Sequence, residues 1–240
     1  MSGLFYDLHI HSCLSPCGDE NMTPNNIVNM ALLKGLDLIA LTDHNSCKNC
    51  PAALAAAAGK PITLLPGIEL TTAEEIHLLL LFPGLEKAMA FDRYVYERLL
   101  PVQNAPDIFG TQQIMDENDQ PTGQEPLLLV GATSISVDDA PALAEAFGGL
   151  LLPAHIDRPS NSILSVFGDI PPQLGFTAVE VKDPDAFFAR PQNLCYRQGR
   201  RVLTSSDAHR LGDIAEAIHT LPLAVPSFAA LADYLGQLKR

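Results

Sequence analysis

Two histidines two residues apart, His9 and His11, lie in the string Asp7-Leu8-His9-Ile10-His11-Ser12 near the start of this 240-residue chain. Side chains alternate along a strand, so this stretch is expected to put Asp7, His9 and His11 on one face and Tyr6, Leu8 and Ile10 on the other. With about 6.6–7 Å between i and i+2, and metal–imidazole bonds of about 2.0–2.1 Å, both rings can reach one ion or two adjacent ones. Four further histidines stand at the ends of apolar, strand-like runs: His44, His77, His155 and His209, with Glu69 and Asp207 at comparable places. Imidazoles and carboxylates without paired thiolates suit Zn, Mn or Fe in a hydrolytic site, and more than four ligands imply more than one ion. His219, within the apolar run 218–225, is read as structural.

The elements that must position these groups alternate strand and helix. Thr23 caps a helix with Pro24 in its first turn and an apolar face of Ile27, Val28, Ala31 and Leu32, ending near Gly35. Residues 36–42 form a buried strand that delivers Asp43 and His44, giving a βαβ unit with polar groups where parallel α/β folds keep their active sites. Residues 51–58 are helix and 61–70 a strand ending at Glu69. Only 71–75 separate it from the run 76–82, too few for a parallel crossover, so an antiparallel hairpin should bring Glu69 and His77 to one tip. A helical pattern over 85–100 precedes a polar, turn-rich excursion, 101–126, read as a solvated insertion holding a helical turn and a small hairpin. A helix from Ser136 to Phe147, a strand over 150–154, a short helix over 163–167, strands over 177–181 and 201–205 and a last helix over 228–238 complete the chain.

Composition sets the class. With 47% apolar residues, 240 residues can bury one large core, and no linker divides them, so one domain over 1–240 is expected. No apolar run reaches the roughly 18 residues of a membrane span, the N-terminus lacks the order of a signal peptide, and five cysteines are an odd number in a chain that needs no staples. Reduced thiols and a cytoplasmic location follow as expectations. A formal charge of −13 argues against long tracking along a nucleic-acid backbone but leaves short or terminal phosphates as substrates, since bound cations reverse the sign of a local site.

Taken together, Asp7-Leu8-His9-Ile10-His11-Ser12, Leu41-Thr42-Asp43-His44-Asn45, Gly67-Ile68-Glu69, Glu75-Ile76-His77 and Ser206-Asp207-Ala208-His209 resemble, in order, the motifs of the PHP family, named for polymerase and histidinol phosphatase. The resemblance covers nearly the whole chain outside 101–126. It implies a distorted seven-stranded β/α (TIM-like) barrel that binds two to three divalent ions (Zn, Mn or Fe) and hydrolyses a small phosphate ester or short nucleotide through a metal-bound hydroxide. It further implies that one ion takes His9, His11, Glu69 and Asp207, a second shares Glu69 and adds His77 and His155, and a third uses His44 and His209. The family pattern also supplies a His or Asp shortly after the first motif, where this chain has Pro16. Asp19 is preferred there as a hard carboxylate, with Cys17 the competing ligand.

Around that set, Arg158 can grip a phosphate oxygen through its planar fork, and Asp43 can orient a ligand histidine. The pair Cys47 and Cys50 has redox or zinc spacing, but no second pair is nearby and a helix begins at once, so it is read as an inert loop. The alternative function is a non-catalytic metal-binding accessory or regulatory module on the same fold. Metal-dependent cleavage of a C–N or C–O bond is disfavoured because Lys60, Lys87 and Lys182 do not stand where a metal-bridging lysine would.

Overall fold

The computed structural model describes residues 3–237. The chain runs β1 (Leu4–Ile10), α1 (Pro24–Leu33), β2 (Leu38–Leu41), α2 (Cys50–Ala57) and β3 (Thr63–Thr71), with β1, β2 and β3 parallel neighbours. The Thr23 side chain accepts from Asn26 N and Pro24 opens α1, where a missing N–H costs nothing, while Ile27, Val28 and Ala31 turn to the core. β4 (His77–Leu81) returns antiparallel to β3, with Thr71 opposite His77 and Glu69 opposite Leu79, because the connection is too short to cross over.

α3 (Leu85–Tyr96) leads into α4 (Pro106–Phe109) and the hairpin of β5 (Gln113–Met115) with β6 (Pro121–Gln124). This segment is solvated only in part. β6 is exposed, but the base of the hairpin is anchored: Gln113 N donates to Cys13 O, Met115 N to Asn49 Oδ1, and Leu14, Leu99 and Leu129 close a small core beneath it. Then follow α5 (Ala140–Phe147), β7 (Leu150–Pro153), α6 (Ile163–Phe167), β8 (Ala178–Glu180), α7 (Pro184–Phe188), β9 (Arg201–Leu203), β10 (Thr220–Leu221) and α8 (Phe228–Leu235). α5 starts four residues later than the apolar pattern suggests, because Ser136 Oγ and Val137 N are held by the Glu74 carboxylate at 2.8 and 2.9 Å instead of entering the helix. α8 ends at Gly236 in the left-handed region, and Leu238 of the expected helix lies outside the described residues.

Six strands form one curled sheet in the order β10-β1-β2-β3-β4-β7, and β8 and β9 pair separately in parallel. The expected continuous seven-stranded barrel is therefore replaced by a half-barrel and a short ribbon. β8 and β9 are three residues long, and their neighbours offer single contacts in place of ladders: Ile156 N donates to Glu180 O at 2.9 Å, and Ile10 bridges Ala208.

One irregularity corrects the simple alternation expected of β1. Asp7 pairs with Ile39 and Ile10 with Leu41, three steps against two, and one extra residue reverses the facing that follows it. Tyr6 and Leu8 accordingly pack with Leu38 and Ala40, whereas Ile10 joins Ile39 and Leu41 in the other core cluster. Both faces of the sheet are covered, which is why its strands read as nearly unbroken apolar runs.

Candidate metal centre

The strand ends converge on one buried carboxylate. Glu69, at the β3 end of the hairpin, has imidazole nitrogens from five histidines around it: His77 Nδ1 and His44 Nδ1 at 2.9 Å, His155 Nε2 at 3.0 Å, His11 Nε2 at 3.2 Å and His9 Nε2 at 3.3 Å. Asp207, just past β9, lies 3.4 Å from His9 Nε2 and 3.3 Å from His11 Nε2. The backbone is forced to aim them. His155 has φ 30° and Asp207 φ 51°, conformations in which a side chain with a Cβ is strained and which persist only where surrounding structure imposes them.

Partners behind the histidines set their orientation. Glu180 Oε1, at the end of β8, lies 2.9 Å from His9 Nδ1 and accepts from His155 N at 3.0 Å, so a neutral His9 donates its Nδ1–H there and keeps Nε2 for the centre. Asp43 accepts from Ser12 N, Ser12 Oγ and Ser15 Oγ at 2.6 to 2.7 Å, and Ser15 Oγ lies 2.9 Å from His11 Nδ1. Asp43 thus acts on His11 through one hydroxyl. Asp7, a buried residue of β1, accepts from Ser206 N, Ser206 Oγ and Ala215 N and so ties down the loop that carries Asp207 and His209.

Charge and burial oppose one another here. Burial alone would raise the Glu69 carboxyl, but the charges of His77, His9 and His44 hold it well below the usual carboxylate range. Asp207 is likewise lowered against burial, by His9 and His11. Burial pushes His9 and His11 down, yet the carboxylates outweigh it: Glu180, Asp207 and Glu69 raise His9 well above its ordinary value, and Asp207 and Glu69 raise His11 to about 9. His44 and His209, where burial wins, fall to about 4 and about 3.

Divalent ions fit this donor set. A carboxylate has about four lone-pair directions and cannot accept well from five rings. Glu69 Oε2, His44 Nδ1, His77 Nε2 and His155 Nδ1 are indeed buried without a hydrogen bond of good geometry, although Oε2 and Nδ1 of the first two are only 2.9 Å apart. Such orphans are costly unless a water or a cation satisfies them. Three groups have ligand atoms within 4.8 Å of one another: His9, His11, Glu69 and Asp207; His44, Glu69 and His77; and His11, His44 and His209.

Of the residues expected at the site, Asp19 is not brought in. Its carboxylate is exposed and folded back onto Asn21 N and Nδ2 at 2.9 and 2.8 Å, an Asx turn that satisfies it locally and lowers its pKa. The loop is close all the same, since Asp19 N donates to His209 O, and Gly18 is required there because a Cβ would lie 2.2 Å from Ser12 O. Cys17 is exposed and joins none of the three groups, and burial of its thiol, with the negative charge of Glu69, pushes its pKa up to about 12. Arg158 stands at the rim, its side chain 40% exposed and its Nη2 2.8 Å from Asp207 Oδ2. Cys47 and Cys50 are buried in the apolar core, where Cys47 Sγ donates to Gly67 O at 3.2 Å and Cys50 Sγ reaches Leu41 O at 3.8 Å. His219 joins none of the three groups. Glu180 and Ser15 are the members that sequence reasoning missed; the acid closing the apolar run 177–181 was the available signal for the first, and an isolated serine gives none.

Comparison with known proteins agrees with this geometry. The PHP domain profile matches residues 7–109. The 5'-3' exoribonuclease Rnm of Salmonella typhimurium is 34% identical over 76 residues, 31% of this chain and 25% of that protein, so the match spans only a quarter of the relative's length. Among solved structures, the lesion-specific endonuclease Q of Pyrococcus furiosus superposes with a TM-score of 0.65 at 19% identity over 98% of this chain and 56% of that one. A candidate metal-dependent phosphoesterase of Bifidobacterium adolescentis gives 0.61 at 18% identity, covering 98% of this chain and 96% of that one. The two structures share the fold over 98% of this chain, and the residues that match the PHP domain, 7–109, hold His9, His11, His44, Glu69 and His77.

Proposed function

We propose that this protein is a metal-dependent phosphoester hydrolase acting on a nucleotide or short oligonucleotide. The observation that carries the reading is Glu69, one buried carboxylate encircled by five imidazoles and unable to satisfy them alone. His9, His11, Glu69 and Asp207 would hold one ion and His11, His44 and His209 another, while the ion that Glu69 shares with His77 has His44 in its cluster, and His155, the ligand expected there, reaches it through its 3.0 Å approach to Glu69. Bound ions of this kind neutralise phosphoryl oxygens and activate water for in-line attack.

The chain's own residues supply the rest. Glu180 and the Asp43–Ser15 pair fix the rings of His9 and His11, so the donors need little rearrangement on loading. Arg158, partly exposed above Asp207, presents its fork where an incoming phosphate would arrive, and exchanging one carboxylate partner for a phosphate oxygen costs it little. One domain is the reading for residues 1–240, with the β8–β9 ribbon tied to the curled six-stranded sheet by the Ile10–Ala208 bridge. Five free cysteines suit a reducing cytoplasm. No described helix is long and apolar enough to cross a membrane.

The test is hydrolysis by manganese- or zinc-loaded protein across a panel of mono- and diesters, nucleotides included. Turnover that requires metal supports the reading, and full metal occupancy without turnover on any ester supports the non-catalytic module. Arg158→Ala should lower kcat/KM about ten- to a hundredfold at unchanged metal content, the range of a hydrogen bond to a charged group.

A further inference from the structure

The charge of this chain is unevenly placed. Residues 186–206 hold four arginines, Arg190, Arg197, Arg200 and Arg201, and no acidic residue, so this stretch is +4 while the remaining eleven basic residues face all 28 acidic ones. In so acidic a protein an arginine readily finds a carboxylate, but none of the four forms an ion pair among the described residues, whereas Lys34, Lys48, Arg98 and Arg158 all do. The packing shows why they point outward. Phe187, Phe188 and Tyr196 turn to the core from α7 and the 3-10 turn Pro191–Arg197, which leaves Arg190 and Arg197 on the outer side, both exposed.

Two of the guanidinium groups are also held in place. Arg201 lies 4.6 Å over the Tyr234 ring and donates from Nε to Tyr234 O, and Arg200 Nε donates to Phe176 O, so in each the outer nitrogens stay free. A recess of about 470 Å³ opens between Arg200, Arg201 and Tyr234, with Asp233 the carboxylate on its wall. Asp169 faces Tyr196, which Arg200 also adjoins, and Asp183 caps α7 by accepting from Ala186 N; neither forms an ion pair with the four arginines among the described residues. The segment joins β8 to β9, whose far ends carry Glu180 and Asp207. From Arg201 to Asp207 is at most about 20 Å, since only Arg201–Leu203 are strand, a span within the reach of roughly six stacked nucleotides at 3.4 Å each.

We propose that the arginine stripe of residues 190–201 is a docking surface for the phosphate backbone of a single-stranded nucleic acid whose end is presented to the metal centre. The proposal rests on the phosphoesterase reading for its choice of polyanion, and it names a polymer as substrate where that reading allowed a mononucleotide. A local patch of four cations on an acidic protein favours a short contact of a few phosphates, with the remaining surface repelling the strand and so limiting the length bound.

The test uses the double variant Arg190→Ala/Arg197→Ala, since both side chains are exposed and the one packing contact, Arg197 over the Phe188 ring at 5.5 Å, lies at the surface. Manganese-loaded protein is titrated into a 3′-fluorescein 12-mer of single-stranded RNA with a phosphorothioate backbone, followed by anisotropy at several salt concentrations. The variant should bind at least about tenfold more weakly. Its slope of log affinity against log salt should fall by about 1.4, or 0.7 for each lost contact, with p-nitrophenyl phosphate turnover unchanged. Equal affinity and slope in the two proteins, or no binding by the wild type, overturns the proposal. So does stronger arginine-dependent binding to phosphatidylserine vesicles or to polyglutamate than to the RNA. If neither protein hydrolyses any ester while the RNA affinity still drops in the variant, the phosphoesterase reading fails and the docking surface stands.

Discussion

Two stretches of this chain carry metal-like spacing, and the fold treats them in opposite ways. His9 and His11 reach a centre where nitrogens and carboxylate oxygens crowd one another and several are left without partners. Cys47 and Cys50 sit in an apolar cluster and give their thiol protons to backbone carbonyls, while burial holds Cys47 well above its ordinary pKa. A thiol kept protonated among aliphatic side chains is a small core residue. What makes a ligand is a donor that the protein aims at other donors and leaves unsatisfied; spacing only permits it.

The sharpest way to break that contrast is at Glu69. Glu69→Gln keeps the shape but removes the charge that five rings share, and it should lower both metal content and hydrolysis by more than about 100-fold, the upper effect of losing even an outer partner of a ligand. Metal analysis and turnover measured together check this; a variant that keeps both would return Glu69 to a structural role.

Glu180→Gln probes the layer behind. It keeps an acceptor for His9 Nδ1 while losing the charge that favours His9, and metal affinity by calorimetric titration should weaken about 10- to 100-fold. A melting temperature that falls while affinity holds would make Glu180 a fold residue only.

Protons compete with metal for His9 and His11, so affinity should rise with pH up to about 9, the value to which His11 is raised. The metal-free protein should show the reverse trend on that side. Because the folded pKa of His11 exceeds its unfolded value near 6.5, its contribution is complete below about pH 6.5 and is lost as pH climbs through about 9. His44 and His209, lowered to about 4 and about 3, contribute above about pH 6.5 and lose that stability as pH falls toward those values; the lowered Glu69 and Asp207 lose theirs at more acid pH. Denaturant melts in chelator should therefore peak near pH 6.5. Stability that keeps increasing to pH 9 would mean that His9 and His11 are neutral without metal.

The smallest effects should come from the other stretch and from the loop. Cys47→Ala should cost about 1–3 kcal/mol of stability, as core substitutions do, with no change in metal content. Asp19→Ala should leave metal content and activity within about twofold, because its carboxylate is already satisfied by Asn21. One lost metal equivalent in either variant would erase the distinction drawn between the two stretches.

Much of the site could be read without coordinates because local rules govern it. The connection between Glu69 and His77 is too short for anything but a hairpin, and an apolar run ending in a polar group marks a strand whose tip faces an active site. Thr23 and Pro24 announce α1 by the same kind of local chemistry. What sequence could not supply depends on partners far along the chain. The bulge in β1 exists only in register with β2, and it separates Ile10 from Tyr6 and Leu8. Glu180 acquires its meaning from His9, 171 residues earlier, and Ser15 from Asp43 and His11 together. Asp19 and Cys17 are two residues apart on one loop, and the turn at Asn21, which no spacing rule announces, satisfies the Asp19 carboxylate away from the centre. The chain thus specifies its ligand types and strand ends by itself, since propensity and spacing are local; which donors are aimed, and which are left for a metal to satisfy, is settled by packing among segments that the sequence keeps apart.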